Sequence, residues 1–413
     1  MNSTVKPRSR ARRILRALAV LAILPIVAIA ALLGAMRLEH GFSTTLPAPT
    51  GPFAVGRAIY DWTDDKTLDR LASAPGTKRE LLVWIWYPAA GTSTATDDYL
   101  PDAVRMAVER NSGALFSKFL TRDLSKVHGH SAGNPDVSAQ ERSYPIVIMR
   151  AGASAGVWNY STLAEDLASR GYVVVGFDAP YRTHVVAFAD GRVMQRLPEN
   201  NPEVCEGMTG AEQDRCAVRL LGAWTTDMTF VLDRLTQLNA PDAPGKFRGR
   251  LDMTRVGVFG HSFGGAAALQ FCHDDVRCKA AVDVDGAPHG SVIKTGLDRP
   301  CMILLSDHSG EDDPQGPQIM ADLRSIYDRA PTEGRVFLEI RGANHFLFSD
   351  DGALLKSHIV MRTLRMLRVV GMDGKRQLSV TTYCLRGFFD AELKGAPRFG
   401  AASSIDPEVQ AVH

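Results

Sequence analysis

Five residues, Gly260-His261-Ser262-Phe263-Gly264, fit the pattern G-x-S-x-G. The chemistry they imply is nucleophilic attack by a serine hydroxyl, and the spacing has a steric cause. A strand must turn at once into a helix with the serine at the tip, and glycines two residues to either side remove the Cβ atoms that would block such a turn. The segment before the motif, Arg255–Gly260 (RVGVFG), reads as a β-branched strand. The one after it, Gly264–Cys272, reads as a helix of small residues. Both flanks of the required strand–turn–helix frame are present, which an ordinary turn serine would not need.

A serine hydroxyl is a weak nucleophile near neutral pH. It needs a base within hydrogen-bond reach and a carboxylate to orient that base. In this frame the chain order is serine, acid, histidine. His273, His289, His308, His345, His358 and His413 follow Ser262. His345 lies in Arg341-Gly-Ala-Asn-His345-Phe, directly after the strand-like segment Arg335–Ile340. That is the carboxyl edge of a parallel sheet, where ligands of open α/β sheets bind. His308 sits on a similar loop and is the second choice, whereas His358 falls in a helical pattern. Two carboxylates compete for the acid: Asp285 ends the strand Lys279–Val284, and Asp307 ends the strand Cys301–Ser306. Strand position does not separate them. Asp283 is expected to point away from both or into the sheet.

The elements around these residues alternate. Leu81–Tyr87, Pro145–Met149 and Tyr172–Phe177 read as buried strands; Trp158–Arg170 reads as a helix capped at Gly171, and Ala211–Leu238 as a long helix. Leu354–Val370 and about Tyr383–Lys394 read as further helices. Such alternation predicts an α/β fold, a mostly parallel central sheet with helices on both faces. Residues 92–142 interrupt it with a helical stretch, Asp102–Phe119, and a polar loop holding His128 and His130. An insertion there either shapes the mouth of a site or is a surface excursion. Residues 41–52 (GFSTTLPAPTGP) read as a linker. The expected organisation is a basic flank and membrane or export segment over 1–40, a catalytic domain over 41–395 and a tail over 396–413.

The chain has 413 residues, 47 basic and 46 acidic side chains, and a net charge of +1, so no basic stripe points to a nucleic-acid partner. The charge is uneven only at the N-terminus. Lys6, Arg8, Arg10, Arg12, Arg13 and Arg16 precede an uncharged run, Ala17–Met36, of about 20 residues, enough to cross a hydrocarbon core of roughly 30 Å. A retained anchor and a cleaved signal peptide (Ala28-Ile29-Ala30 is a weak cleavage site) both fit, and both export the remainder to the periplasm or beyond. A buried core helix would not need the flanking cations. The six cysteines agree with export. Short loops suggest Cys205–Cys216 and Cys272–Cys278, which leaves Cys301–Cys384; buried free thiols are the alternative. No Cys-x-x-Cys or paired-histidine motif calls for a metal, and no cofactor is expected.

Phe259-Gly260-His261-Ser262-Phe263-Gly264-Gly265, then VDVDG, then IRGANHF, resemble the platelet-activating-factor acetylhydrolases, α/β-hydrolases of the secreted and lipoprotein-associated type, with their bacterial relatives. The likeness runs from about Leu81 to about Asp350. It implies an α/β-hydrolase fold and a serine esterase with Ser262 as nucleophile and His345 as base, and its serine-to-acid spacing selects Asp285. It also implies an oxyanion hole from the backbone N–H groups of Phe263 and Ala153. The family's usual Ser-His-Gly is here Arg150-Ala151-Gly152, a departure in the loop that carries Ala153. The implied substrate is an ester with a short or oxidised acyl chain, phospholipid acyl esters included. Polyester or general carboxylic ester hydrolysis is the alternative. A hydrolase fold that has lost catalysis and serves as a scaffold is a second class of reading, and a fluorophosphonate probe separates it.

Overall fold

A computed structural model describes residues 8–91, 96–309, 314–354, 361, 366, 371–399 and 406–412. Its centre is a ten-stranded sheet. In chain order the strands are β1 (Val55–Leu68), β2 (Lys78–Pro88), β3 (Ser131–Gly133), β4 (Tyr144–Arg150), β5 (Val173–Asp178), β6 (Leu251–His261), β7 (Cys278–Val284), β8 (Cys301–Leu305), β9 (Arg335–Ile340) and β10 (Val409–Ala411). Across the sheet they lie β10-β9-β8-β7-β6-β4-β5-β2-β1-β3. The six strands from β9 to β5 are mutually parallel. The pairs β10–β9, β5–β2 and β2–β1 are antiparallel. The sheet is therefore mixed, parallel where it carries the candidate site.

The described helices include α1 (Arg8–His40), α2 (Asp102–Asn111), α3 (Ser161–Ser169), α4 (Ala211–Leu238), α5 (Phe263–Asp274), α6 (Gly316–Arg329) and α7 (Gly374–Lys394). α3 and α7 cover one face of the sheet, α4, α5 and α6 the other. Both faces are covered, so the central strands need apolar residues at every position rather than at every second one. Trp84 and Trp86 go to one core, Val83 and Ile85 to the other, and all four are fully buried.

That alternation corrects the expected third disulfide. Cys205–Cys216 and Cys272–Cys278 are bonded, but Cys301 and Cys384 are free and buried. Cys301 points into the α4/α5/α6 core while Cys384, on α7, belongs to the other; the neighbour Met302 is the one that faces α7. The sheet separates the two sulfurs.

Other expectations shift as well. Residues 41–52 are a packed strap rather than a linker. Thr44–Thr45 pairs with Val127–His128, Leu46 is buried, and the N–H groups of Thr50 and Gly51 donate to Asp166 and Ser169 of α3 at 2.6 and 2.8 Å. The helical stretch expected over Asp102–Phe119 breaks at Gly113, whose φ of +72° ends α2, and resumes as a π-helical turn, Phe116–Leu120. Residues 406–412, expected to belong to a tail, add the edge strand β10. α7 starts nine residues before the expected Tyr383, capped by the Asp373 carboxylate. Leu354 closes a short helical turn from Asp351; most of the helix expected over Leu354–Val370, with His358, lies outside the described residues, as does His413.

Candidate active site

Ser262 stands between β6 and α5 with φ +56° and ψ −129°. That conformation is strained for a residue with a Cβ, and it persists only because the surroundings fix it. The Ser262 N–H donates to the Val284 carbonyl of the next strand at 2.9 Å. A Cβ on Gly260 would fall on the carbonyl of Gly264, and one on Gly264 would fall on the carbonyls of Arg150 and Ala151 at the end of β4. The two glycines of the motif thus let three backbone segments converge under the serine. Phe263 opens α5, so its N–H is among the first-turn donors that a helix leaves without an internal acceptor.

Asp285 follows β7 in a second positive-φ conformation, φ +56°, which turns its carboxylate across the sheet edge. His345 Nδ1 donates to its Oδ2 at 2.8 Å. Three other donors hold it: Ser306 N–H at 2.8 Å, the Ser306 hydroxyl at 2.6 Å and His308 Nε2 at 2.9 Å. Burial opposes ionisation, but the hydrogen bonds from His308 and His345 outweigh it, and the carboxyl is held well below the usual carboxylate range.

The competing acid, Asp307, does not approach His345. Its Oδ2 accepts from the Gly342 N–H at 2.7 Å and its own N–H donates to the Ala343 carbonyl at 3.2 Å. It thereby fixes the loop that carries the histidine. From the other side Gln377 of α7, fully buried, accepts from the Asn344 N–H at 2.9 Å and donates to the Asn344 carbonyl at 2.7 Å. His345 is then a half-buried ring on a loop clamped at both ends.

The loop Arg150–Ser154 departs from the implied family pattern, and its support comes from elsewhere. Arg150 is buried beneath it, with its guanidinium 3.9 Å from the Trp224 ring centroid and Nη1 donating to the Phe177 carbonyl at 3.1 Å. Burial pushes the guanidinium down to about 10, so it stays charged at neutral pH. The Gly152 N–H donates to the Tyr160 hydroxyl at 3.2 Å, and that hydroxyl donates to His261 Nδ1 at 2.7 Å. Burial, reinforced by the nearby His345, pushes His261 down to about 3, so the ring is neutral and able to accept. One hydroxyl thus ties the loop before Ala153 to the residue before Ser262. A Cβ on Gly152 would lie 3.4 Å from the Ser262 Cβ, a measure of how close loop and serine run. The sequence carried no signal for Tyr160. His308 was visible in it, but as a rival base rather than as a donor to Asp285.

Beside the loop lies a cavity of about 380 Å³. Ala153, Ser154 and Trp158 line it, together with Val108, Thr121 and Leu124 of the insertion. Residues 108–124 of the insertion thus share this cavity with the loop that carries Ala153. The volume suits a small acyl chain or a compact leaving group. A serine at a strained turn, a bonded acid–histidine pair and a cavity lined by Ala153 together form an arrangement suited to acyl transfer.

Comparisons with known proteins agree. A family model described as platelet-activating factor acetylhydrolase, isoform II, matches residues 40–190, and one described as PET hydrolase-like matches residues 224–373. A probable 1-alkyl-2-acetylglycerophosphocholine esterase of Arthroderma benhamiae is 26% identical over 89% of this chain and 93% of its own length. The platelet-activating factor acetylhydrolase of Cavia porcellus is 24% identical, covering 74% of this chain and 69% of its own. Cutinase 2 of Thermobifida cellulosilytica is 31% identical over 133 residues, 30% of this chain and 48% of that one. Among solved structures, a ferulic acid esterase from Streptomyces cinnamoneus shares the fold with a TM-score of 0.70 at 24% identity, covering 90% of this chain and all of that one. The fold is that of the α/β-hydrolases.

Proposed function

We propose that this chain, which is similar to the platelet-activating factor acetylhydrolases over most of its length, is a serine hydrolase of carboxylic esters with the following division of labour. Ser262 attacks the ester carbonyl as His345 Nε2 takes its proton. Asp285 holds the imidazole by Nδ1 and stabilises the cation that forms. The N–H groups of Phe263 and Ala153 receive the oxyanion, each worth roughly 3 kcal/mol in the transition state. The alcohol leaves with the proton from His345, and water, activated by the same ring, releases the acid. The observation that carries this reading is the 2.8 Å bond from His345 to Asp285 beside a serine held at φ +56°.

The substrate class proposed is a short-chain acyl ester, phospholipid acyl esters included, in keeping with the names of the relatives that match over most of the chain. A second reading, polyester or general carboxylic ester hydrolysis, is favoured by the PET hydrolase-like match over residues 224–373. A panel of p-nitrophenyl esters, a short-acyl phospholipid and a polyester film separates the two. Two disulfides and the long apolar N-terminal helix are compatible with export. The finer reading is a catalytic domain outside the cytoplasm, held to the inner membrane by residues 17–36. For the site itself, Ser262→Ala should abolish p-nitrophenyl acetate hydrolysis and labelling by a fluorophosphonate; retention of both would refute the assignment and favour another nucleophile.

A further inference from the structure

The apolar helix α1 does not end free of the hydrolase body. In its last turn Met36 and His40 are buried, and that turn is fixed to residues 116–126 of the insertion. His40 Nδ1 donates to the Thr121 carbonyl at 3.1 Å. Arg122 Nη1 donates to the Glu39 carbonyl, the Asp123 N–H to the His40 carbonyl and the Lys126 ammonium to the Gly41 carbonyl, each at 2.9 Å. Thr44–Thr45 then pairs with Val127–His128. The same segment gives Ser117, Thr121, Arg122 and Leu124 to the lining of the cavity that Ala153 also lines. Packing is continuous from the helix to the cavity.

Helix geometry fixes the height of this contact. The apolar span is exposed from Ala17 to Gly34, and Ala17–Met36 covers about 30 Å, the thickness of a hydrocarbon core. From Met36 to His40 is one turn, about 6 Å, and the headgroup layer on one side is about 5–8 Å thick. Where α1 crosses a bilayer, the docked segment lies in the headgroup layer. Its surface suits that place. Phe42 is 58% and Leu115 61% exposed, and Arg37 and Lys118 are exposed beside them in the chain. Apolar side chains interleaved with cations are what interface-seated segments carry.

We propose that α1 seats the insertion, and with it the cavity mouth, on the bilayer surface, so that the enzyme takes acyl esters dissolved in the membrane rather than in water. This rests on reading residues 17–36 as a retained anchor and the cavity as the substrate side of an esterase. The test uses the full chain reconstituted in phosphatidylcholine vesicles. Cys301 and Cys384 are buried, so Leu115→Cys directs a bimane label to the insertion. Nitroxide carried on lipid headgroups should quench it, while aqueous iodide should not. In the double variant Phe42→Asp/Leu115→Asp, hydrolysis of p-nitrophenyl acetate should be unchanged. Hydrolysis of a long-chain fluorogenic ester held in the vesicles should fall at least about tenfold, the scale of removing two large apolar contacts from the interface. A label quenched from water only, or a double variant that cleaves the vesicle ester like its parent, overturns the proposal. Should the parent cleave neither ester, the esterase reading fails, and the label still decides where the mouth lies.

Discussion

Asp283 and Asp285 lie two residues apart in the segment VDVDG, both buried, yet they are held in opposite charge states. Asp285 receives four hydrogen-bond donors, two of them histidines, and stays ionised. Asp283 receives one, the Gly286 N–H at 3.0 Å, and among the described residues its Oδ2 has no partner. Burial, with the neighbouring Asp285 charge, pushes its carboxyl up to about 8. Burial alone would neutralise both. What differs is the number of donors that meet each carboxylate, and the positive φ of Asp285 is what swings it out to Ser306, His308 and His345.

The largest effect expected breaks the comparison directly. Asp285→Asn should lower kcat for p-nitrophenyl acetate by about 10³–10⁴-fold, because an amide neither fixes the reactive tautomer of His345 nor stabilises its cation. Asp283→Asn, already neutral at pH 7, should stay within a few-fold of the parent. Equal losses in the two variants would dissolve the distinction. His308→Ala comes next. It removes one donor to a charged group, which is worth about 1.5–3 kcal/mol, and should cost kcat roughly ten- to a hundredfold while leaving fluorophosphonate labelling detectable. A loss as deep as that of His345→Ala would make His308 the base instead.

Legibility in the sequence follows from how local each cause is. Ser262 was readable because its strain is imposed and relieved by residues two positions away. Asp285 and Asp307 were not separable, because each ends a parallel strand at the same sheet edge; only the turn after each strand sends one carboxylate to His345 and the other to Gly342. The cysteine pairing failed for the third pair because counting ignores which face of a sheet a residue takes. β1 went unread because its second half, with Asp61, Asp64, Asp65 and Lys66, is too polar to stand out as a strand, although its pairing with β2 is the sheet's longest. The strap over 41–52 has a linker's composition, yet the polar groups of α3 hold it. Tyr160 was invisible: nothing in a sequence tells which of nine tyrosines will lie between a loop amide and His261.

Tyr160→Phe tests that last contact. It keeps the ring but leaves the Gly152 N–H and His261 Nδ1 without their shared partner. Loosening the loop that presents Ala153 should cost kcat about three- to tenfold with KM little changed, since a neutral hydrogen bond is worth about 1 kcal/mol. A change confined to thermal stability would make the tyrosine a packing residue only.

The smallest effect sharpens the comparison through pH. With its folded carboxyl raised to about 8, Asp283 keeps its proton in the native state between roughly pH 4 and 8, where the unfolded chain has lost it. The native state then binds more protons than the unfolded one, so this group's contribution to stability is complete below pH 4 and is lost as pH rises toward 8. Denaturant unfolding of the parent and of Asp283→Asn across that window should show the parent losing ground as pH rises, by at most about 1.4 kcal/mol per pH unit. Asp285 carries the opposite sign: held low, its contribution is full at neutral pH and fades only in acid, so any difference between parent and Asp285→Asn should be flat across the same window. Parallel profiles for parent and Asp283→Asn would mean that Asp283 is ionised in the native state. The donor count would then not be what separates the two carboxylates.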